Sequence, residues 1–360
     1  MFLYWGRRGA MPQFTLQLAH AALAIPGLTP TICISRQNAL FAQYTDLGEA
    51  LLAVDTFATN LGALTQAWRL PAIKTRLAAH IKEHNIQAVI DLMPHIWSPY
   101  IVPTIKAASA RYVAIAHDAS AHPGDTTHRV KSLIDRCLTS ADCVITLSQS
   151  VADHLAATGT VPPERIVPLF LPDLDFGTTQ SLPAPGPGEP LRLIFLGRIM
   201  PYKGLGLLLD ALDIGRVQGH RVHLGVFGEG HLAPHQQRLA NLNAEVINRW
   251  LTEAEIADVL PRYHAAVLSH TEASQSGVAA IAFGAGLPVI ATPVGGLIEQ
   301  IQDGITGLLA TEPTAPALAA AITRLATNPT LYATLRSNIA ASQDTRSMRR
   351  FVQACITAAT

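Results

Sequence analysis

The sequence predicts an α/β protein with two domains, each organised around a parallel β-sheet. The chain has 360 residues, more than twice the usual size of a single domain. Short apolar stretches alternate with amphipathic stretches along most of it, which is typical of βα repeats. The alternation is interrupted at residues 177–190, which hold four prolines and three glycines and therefore indicate a linker.

Before this linker, the short apolar runs predict buried parallel strands and the amphipathic stretches between them predict helices. A very short strand is expected just before Trp5. Further strands are predicted at Ala88–Leu92, Tyr112–His117, Cys143–Leu147 and Arg165–Phe170. Helices are predicted at Pro71–His84, Tyr100–Ala110, Thr127–Ala141 and Val151–Ala157.

After the linker the same alternation restarts, and from Ala315 onward the chain is expected to be nearly all helical. Strands are predicted at Leu191–Leu196, Val222–Phe227, Ala265–Ser269 and Pro288–Ala291. Helices are predicted at Leu205–Ile214 and Val278–Ala285.

Composition narrows the classes of function. Lys+Arg and Asp+Glu number 26 each, so the basic excess of a nucleic-acid-binding protein is missing and no such partner is expected. No stretch offers the ~18 uncharged apolar residues of a membrane span, and the first residues do not resemble a signal peptide, so a cytoplasmic protein is expected. The tripeptide 173–175, Asp-Leu-Asp, is interpreted as a loop feature, and no metal is predicted. The cysteines lack zinc-site spacing and are expected to be reduced thiols: Cys33, Cys137, Cys143 and Cys355.

Ligands of open α/β sheets bind at the carboxyl ends of the strands, so we expect the chemistry in loops that follow strands. In the loop after Leu191–Leu196, the chain turns at Gly197 and then presents Arg198 and Lys203. Two fixed cations there suit a diphosphate whose negative charge grows as a glycosidic bond breaks. The alternative is a pair of solvated surface charges beside a turn.

A second loop of this kind is Thr271–Gly277, which carries Glu272 and leads into a predicted helix. The backbone N–H groups of Ser276, Gly277 and Val278 open that helix, where an anion can bind. The alternative interpretation of Ser276 is that its side chain caps the helix, and both interpretations can hold together.

Other candidates lie on separate loops. Arg7 and Arg8, in a loop with Gly9, could meet an anionic substrate, and the alternative is a surface arginine pair. His117 ends a predicted strand, and the alternative is a structural histidine. Gly228 lies in FGEG, which lacks the third glycine of a dinucleotide fingerprint, so NAD binding is not favoured.

With these segments in order, the chain resembles the family-4 retaining glycosyltransferases, the "glycosyl transferases group 1" set. The resemblance is strongest over residues 191–310, through GRIMPYKGLGLLLDA, VFGEG, NRWLTEAEI, SHTEASQSG and GLPVIATPVGGLIEQIQDGITGLL. The first half is similar to a bacterial subgroup of the EASQSG type, through YWGRRGAMPQFT, AHDASAHPGD and VPLFLPDLDFG. The resemblance implies a GT-B fold, with two Rossmann-like domains that face each other across a cleft. Residues 1–176 would bind the acceptor, residues 191–344 the donor, and a helix at 345–358 would cross back onto the first domain.

The resemblance also implies roles for the candidate residues. Arg198 and Lys203 match the pair that holds the donor diphosphate, and Glu272 matches a contact to sugar and phosphate. His117 matches a histidine near the transferred sugar, and Gly9 lies in the acceptor-side loop together with Arg7 and Arg8. Further donor-binding positions, the last three of them beside the base, are Ser276, Gly277, Val278, Gly197, Gly228, Asn248, Arg249 and Trp250.

One departure from the family concerns the ribose. The family usually has two glutamates seven residues apart, and the second of them grips the ribose. Here that second position falls on Ile281 or Ala282, neither of which can accept a hydrogen bond, and Glu272 lies two residues further from Gly277 than usual. Ribose recognition is therefore expected to come from elsewhere or to be weaker.

The expected function is retaining, metal-independent transfer of a sugar from a nucleoside-diphosphate sugar, with no cofactor. The acceptor implied by the resemblance is a saccharide or a polyprenyl-linked saccharide in bacterial polysaccharide or O-antigen synthesis, with peripheral membrane contact at most. Two alternatives stay open: a non-catalytic scaffold that binds sugar nucleotides, and another GT-B enzyme such as a sugar-nucleotide epimerase.

Overall fold

The structure, a computed structural model, describes residues 1–59, 61–118, 131–177, 182–186, 188–217, 219 and 221–360. These residues form two compact units, each with a parallel β-sheet, and the predicted α/β class is confirmed. The first unit holds the described residues up to Phe170 together with Met348–Thr360, and the second holds Leu171–Ser347. The predicted linker lies within the second unit, and its role stays a prediction.

The first unit has seven parallel strands among the described residues, in the order β3-β2-β1-β4-β5-β6-β7. The strands are β1 (Phe2–Tyr4), β2 (Ile32–Ser35), β3 (Leu51–Val54), β4 (Ala88–Asp91), β5 (Arg111–Ala116), β6 (Cys143–Thr146) and β7 (Ile166–Pro168). Its helices are α1 (Met11–Leu23), α2 (Phe41–Tyr44), α3 (Gly62–Thr65), α4 (Leu70–Glu83), α5 (Ser98–Ala107), α6 (Lys131–Ser140), α7 (Gln149–Ala157) and α15 (Met348–Ala359).

The second unit has six parallel strands among the described residues, in the order β10-β9-β8-β11-β12-β13. The strands are β8 (Leu191–Leu196), β9 (Val222–Phe227), β10 (Glu245–Ile247), β11 (Ala265–Leu268), β12 (Val289–Ala291) and β13 (Gly307–Leu309). Its helices are α8 (Leu205–Val217), α9 (Gln236–Asn241), α10 (Glu253–Val259), α11 (Gly277–Gly284), α12 (Leu297–Gln300), α13 (Ala315–Ala326) and α14 (Pro329–Ala341).

The direction in which strands are added reverses once in each sheet. In the first unit the reversal falls between β1 and β4, and in the second it falls between β8 and β11. At such a switch point the two loops at the carboxyl ends of the neighbouring strands run to opposite sides and leave a crevice that ligands use. A ligand is therefore expected at the loops after β1, β4, β8 and β11.

The last helix, α15, is an integral part of the first unit. Phe351 on α15 meets Phe14 on α1 edge to face, with ring centroids 5.8 Å apart. Arg111, at the start of β5, donates a hydrogen bond to the carbonyl of Ala359 at 2.8 Å. Phe351 and Cys355 are completely buried.

All four cysteines are buried free thiols. No helix in the described part of the chain is long and apolar enough to cross a bilayer.

A buried carboxyl group at the end of β4 should make stability depend on pH. Asp91 is fully buried and accepts hydrogen bonds from the Ser98 hydroxyl at 2.7 Å and the Tyr112 hydroxyl at 2.9 Å. Burial raises the pKa of Asp91 from 3.8 to about 6 despite these bonds. The folded state therefore keeps a proton that the unfolded state releases, so the contribution of Asp91 to stability falls as pH rises from about 4 to about 6.

We expect Asp91→Asn to remove this fall, on the order of 2–3 kcal/mol across the window, because an amide does not ionise. Urea unfolding at several pH values, compared between variant and parent, measures the difference. Asp55→Asn, at an exposed aspartate, is the control and should leave the parent's pH profile unchanged. Equal pH profiles for Asp91→Asn and the parent would contradict the assignment.

Candidate functional site

At the switch point of the second unit, the loops after β8 and β11 are bonded to each other. The N–H of Thr271 donates to the carbonyl of Tyr202 at 2.9 Å, and the Ser269 hydroxyl donates to the carbonyl of Lys203 at 3.1 Å. Gly204 has φ +70°, and a Cβ there would lie 1.8 Å from the carbonyl oxygen of Ser269. Only glycine allows this approach, and it fixes Lys203 against the loop that follows β11.

Lys203 is held by a histidine that the sequence analysis did not single out. The Lys203 ammonium lies 2.8 Å from Nε2 of His270, and 5.2 Å from the centroid of the Tyr202 ring. An ammonium only donates, so Nε2 accepts and His270 is in the neutral Nδ1–H tautomer. The carbonyl of the buried His270 accepts from the Thr292 hydroxyl at 2.5 Å, which anchors it to the segment after β12. Lys203 is thus a half-buried cation. It is held by His270, which follows β11, and His270 is in turn held by Thr292, which follows β12.

Two of the other predicted donor residues after β8 and β11, Arg198 and Glu272, are more exposed than Lys203. Arg198 follows Gly197 and is exposed, and Glu272 is exposed in the loop after β11. A Cβ on Gly197 would lie 3.3 Å from a methyl group of Val278, so the turn after β8 contacts the first turn of α11. The structure therefore brings Gly197 and Val278 together.

The first turn of α11 differs from the predicted cap. Ser276 occupies the N-cap position, but its hydroxyl makes no capping bond and is buried without a hydrogen-bond partner. The N–H of Ser276 donates to the Gln300 side chain at 2.7 Å, so it is not available to a ligand. The N–H groups that the first turn of α11 can offer to a ligand are therefore those of Gly277 and Val278. The space beside Gly277 is open, since a Cβ on this residue would contact no other atom.

Two more of the predicted donor-binding residues, Gly228 after β9 and Asn248 after β10, contact other residues of the second unit. A Cβ on Gly228 would lie 1.9 Å from the carbonyl oxygen of Gly197, so these two turns are in close contact. The Asn248 amide accepts from the N–H of Gly230 at 3.0 Å and donates to its carbonyl at 3.1 Å.

Arg249 donates to both carboxylate oxygens of Glu255, at 2.5 and 3.0 Å. Trp250, next to it, is 50% exposed and presents an aromatic surface. Ile281 and Ala282, the positions of the missing ribose glutamate, are buried on α11.

At the switch point of the first unit, Arg7 lies beside a second histidine that the sequence analysis missed. The Arg7 guanidinium is 5.4 Å from the centroid of Phe57, and the His95 ring stacks on Phe57 at 4.9 Å. Nδ1 of His95 accepts from the N–H of Trp97 at 3.2 Å, so its proton is on Nε2. Burial, and then the charge of Arg7, lower the pKa of His95 to about 3. His95 is therefore a neutral N–H donor beside a cation.

His117 lies one strand further along the same edge, after β5. Its Nε2–H donates to the carbonyl of Leu92, which follows β4, at 2.7 Å. Burial lowers the pKa of His117, so the ring is neutral and its Nδ1 is an acceptor. Arg8 and Gly9 are exposed, and Gly9 has φ +100°. The roles assigned to these residues stay predictions.

The Asp-Leu-Asp tripeptide is occupied by protein partners. Both oxygens of Asp173 accept from Nε of Arg346, at 3.1 and 3.0 Å, and Asp175 accepts from the N–H of Gly177 at 2.7 Å. Burial raises the pKa of Asp173 to about 6, and Arg346 acts in the opposite direction. Within the described residues, no group of three or more His, Cys, Asp or Glu side chains converges as a metal site would.

Two parallel α/β units, the second with a cationic loop at its switch point, define the GT-B architecture. The structure is similar to HepE of Anabaena in complex with UDP, with a TM-score of 0.71 and 16% identity over 99% of this chain and 98% of that one. It is equally similar to a glycosyltransferase of Rickettsia africae, with a TM-score of 0.71 and 17% identity over 99% and 97% of the two chains.

Two glycosyltransferase family models match the chain, each over less than half of its length. The "Glycosyl transferase 4-like domain" family matches residues 11–170, and the "Glycosyl transferases group 1" family matches residues 190–328. The amylovoran biosynthesis glycosyltransferase AmsK of Erwinia amylovora is 31% identical over 154 residues, which is 38% of this chain. That alignment spans 36% of the length of AmsK.

Proposed function

We propose that this protein is a retaining glycosyltransferase that moves a sugar from a nucleoside-diphosphate sugar to a saccharide or a polyprenyl-linked saccharide in bacterial polysaccharide synthesis. The observation that carries the proposal is Lys203, a cation fixed by His270 at the switch point of the second unit. The two family matches support it, as do the UDP in the HepE structure and the named role of AmsK in amylovoran biosynthesis.

In this proposal the donor diphosphate lies between Lys203 and the first turn of α11. The bond from the anomeric carbon to the diphosphate oxygen breaks, and the acceptor oxygen forms its bond on the same face of the sugar. Lys203, Arg198 and the N–H groups of Gly277 and Val278 stabilise the charge that develops on the leaving diphosphate. The acceptor proton passes to a diphosphate oxygen, so no side chain has to serve as nucleophile or metal ligand.

The remaining residues take positioning roles in the same proposal. Trp250 offers its exposed face to the nucleotide base, and Glu272 contacts the transferred sugar. On the acceptor side, Arg7 and the Nε2–H of His95 meet a polar or anionic group of the acceptor. His117 presents Nδ1 as an acceptor for a hydroxyl hydrogen.

One observation favours a second candidate, a non-catalytic protein that binds sugar nucleotides. The ribose glutamate is replaced at a position that is buried in α11, where no polar side chain is offered. A protein that binds donor but releases no nucleoside diphosphate would fit this candidate.

The proposal is tested by a thermal-shift screen of the full chain against UDP, GDP, ADP and their common sugars, with and without EDTA. Saturation of the folded state at about 100 times the dissociation constant should add about 2.7 kcal/mol to the free energy of unfolding. We expect one nucleotide to stabilise the protein selectively and EDTA to leave the shift unchanged. Donor turnover with release of that nucleotide separates the enzyme from the second candidate, and no shift with any nucleotide would refute both.

A further inference from the structure

Two histidines lie one turn apart at the end of α4. His80 is in its last turn and His84 is at its C-cap, and a spacing of four residues puts both on one face of the helix. Their rings stack, with centroids 3.9 Å apart and planes inclined by 25°. Two imidazole nitrogens that bind one Zn²⁺ at ~2.0–2.1 Å lie about 3 Å from each other. A small rotation of one side chain would therefore let the two rings share a metal ion.

The hydrogen bond made by His84 leaves one of its nitrogens available to a metal ion. Nδ1 of His84 lies 3.2 Å from the carbonyl oxygen of His80, and a carbonyl only accepts, so Nδ1 carries the proton. In the neutral ring Nε2 then holds a lone pair, on a side chain that is exposed. A ring N–H donated to a backbone carbonyl is the arrangement that fixes the tautomer and the orientation of histidine ligands in metal sites.

His80 is the half-buried member of the pair. Its Nε2 lies 3.3 Å from the hydroxyl of Thr31, directly before β2, so the ring is held against the edge of the sheet. Burial, and then the charge of His84, lower the pKa of His80. The charge of Glu83 raises this pKa and that of Arg76 lowers it. His80 is therefore neutral at neutral pH, which is the form of imidazole that binds metal ions.

The backbone at this end of α4 is fixed, and it favours a cation. The N–H of Ile86 donates to the carbonyl of Ile81 at 2.9 Å, and Asn85 has φ +48°, as in a Schellman cap. Ile81 is buried, and Ile86 packs against the same core. The carbonyl groups of the last turn of a helix carry partial negative charge. The two rings thus project from an ordered helix end where a dication is stabilised.

We propose that His80 and His84 bind a divalent transition-metal ion of the class that imidazole prefers, such as Zn²⁺. Among the described residues no third His, Cys, Asp or Glu side chain joins them, so water is expected in the remaining coordination positions. α4 leads into β4, so this site lies at the amino ends of the strands, opposite the loops after β1 and β4. The inference goes beyond the proposed function, because metal binding there involves neither donor nor acceptor.

The test is isothermal titration of the chelator-treated full chain with ZnCl₂ at neutral pH. We expect saturable binding, which His84→Gln should weaken at least about tenfold, since the loss of a partner of a metal ligand alone costs that much. His84→Cys supplies a thiolate in place of the imidazole and should retain binding. His20→Gln, at an exposed histidine in the last turn of α1, is the matched control and should bind Zn²⁺ like the parent.

Zn²⁺ should also raise the melting temperature of the parent more than that of His84→Gln, because a ligand of the folded state stabilises that state. A parent that binds no Zn²⁺ would overturn the inference, and so would equal affinities of the parent and His84→Gln. The nucleotide-induced thermal shift should be the same in the parent and the variants, since the substitutions lie in the first unit. An unchanged Zn²⁺ affinity in His84→Gln with an intact nucleotide shift therefore refutes this inference and leaves the proposed function standing.

Discussion

Lys203→Met should lower kcat by about 10²–10³, the effect of removing one fixed donor from a developing anion. The diphosphate gains charge as the glycosidic bond breaks, so Lys203 stabilises the transition state more than the bound donor. We therefore expect kcat to fall far more than the KM for the donor rises. The measurement is steady-state release of nucleoside diphosphate from the nucleotide sugar selected by the thermal-shift screen.

Two sets of variants control this prediction. Lys131→Met removes a lysine of α6 that pairs with Asp135 at 2.8 Å, and it should turn over like the parent. His270→Gln keeps an acceptor for the Lys203 ammonium and should retain more activity than His270→Phe, which removes the acceptor. A Lys203→Met protein with turnover within about threefold of the parent would defeat the assigned role, since a lost donor of this kind is worth far more.

Arg346→Met should lower the free energy of unfolding by roughly 3–5 kcal/mol, because it leaves the carboxylate of Asp173 buried without its partner. The pair is largely enclosed, with side-chain exposures of 17% for Arg346 and 8% for Asp173. Arg346 also donates to the carbonyl of Ile339 at 3.1 Å and lies 5.0 Å from the centroid of Phe283. Urea unfolding at neutral pH measures the loss, which should shrink at about pH 5 as Asp173 takes up a proton.

An exposed ion pair in the same unit provides the comparison. Arg324 and Asp303 lie 3.4 Å apart with exposures of 50% and 47%, so Arg324→Met should change stability by about 1 kcal/mol or less. Removing both members of the buried pair, as Asp173→Leu with Arg346→Met, should restore much of the stability, because no uncompensated charge is left. The prediction is contradicted if Arg346→Met and Arg324→Met lower the free energy of unfolding by similar amounts, because the buried pair would then contribute no more than the exposed one.

Much of the sheet architecture was predictable from local sequence. β8 and β9 have the predicted bounds because each is a mainly apolar stretch of six residues, with Arg192 or His223 in its second position, between turn-forming residues. β3 was missed because a four-residue run beside alanine and leucine resembles helix as much as strand, and β2 because a run of four residues is too short to show a period. β10 was missed because it is a three-residue strand at the edge of its sheet, with no buried residue and only two apolar ones.

The candidate site was predictable only where its residues follow a strand in sequence. Lys203 could be singled out because it shares one loop with Gly197, whereas its partner His270 lies 67 residues away and its neighbours in sequence give no sign of the contact. His95 was missed for the same reason, since its neutral state depends on burial and then on the charge of Arg7 in the assembled fold. The capping bond expected of Ser276 is not made: the N–H of Ala279 donates to the Ser276 carbonyl at 3.1 Å, and Gln300 from α12 accepts from the Ser276 N–H at 2.7 Å. Contacts of this kind follow from the assembled sheet and have no local signature.

The position of α15 has a consequence for how this protein is made. The first unit lacks a helix that completes its core until residues 348–359 have been synthesised, although its sheet is finished near residue 170. Synthesis of the intervening 171–347 takes roughly 10–35 s at common elongation rates, and during that time the surface that receives Phe351 and Cys355 stays uncovered. The second unit, whose described residues all lie between 171 and 347, can fold as soon as that segment leaves the ribosome. During synthesis the second unit is therefore completed before the first, although the first begins earlier in the sequence.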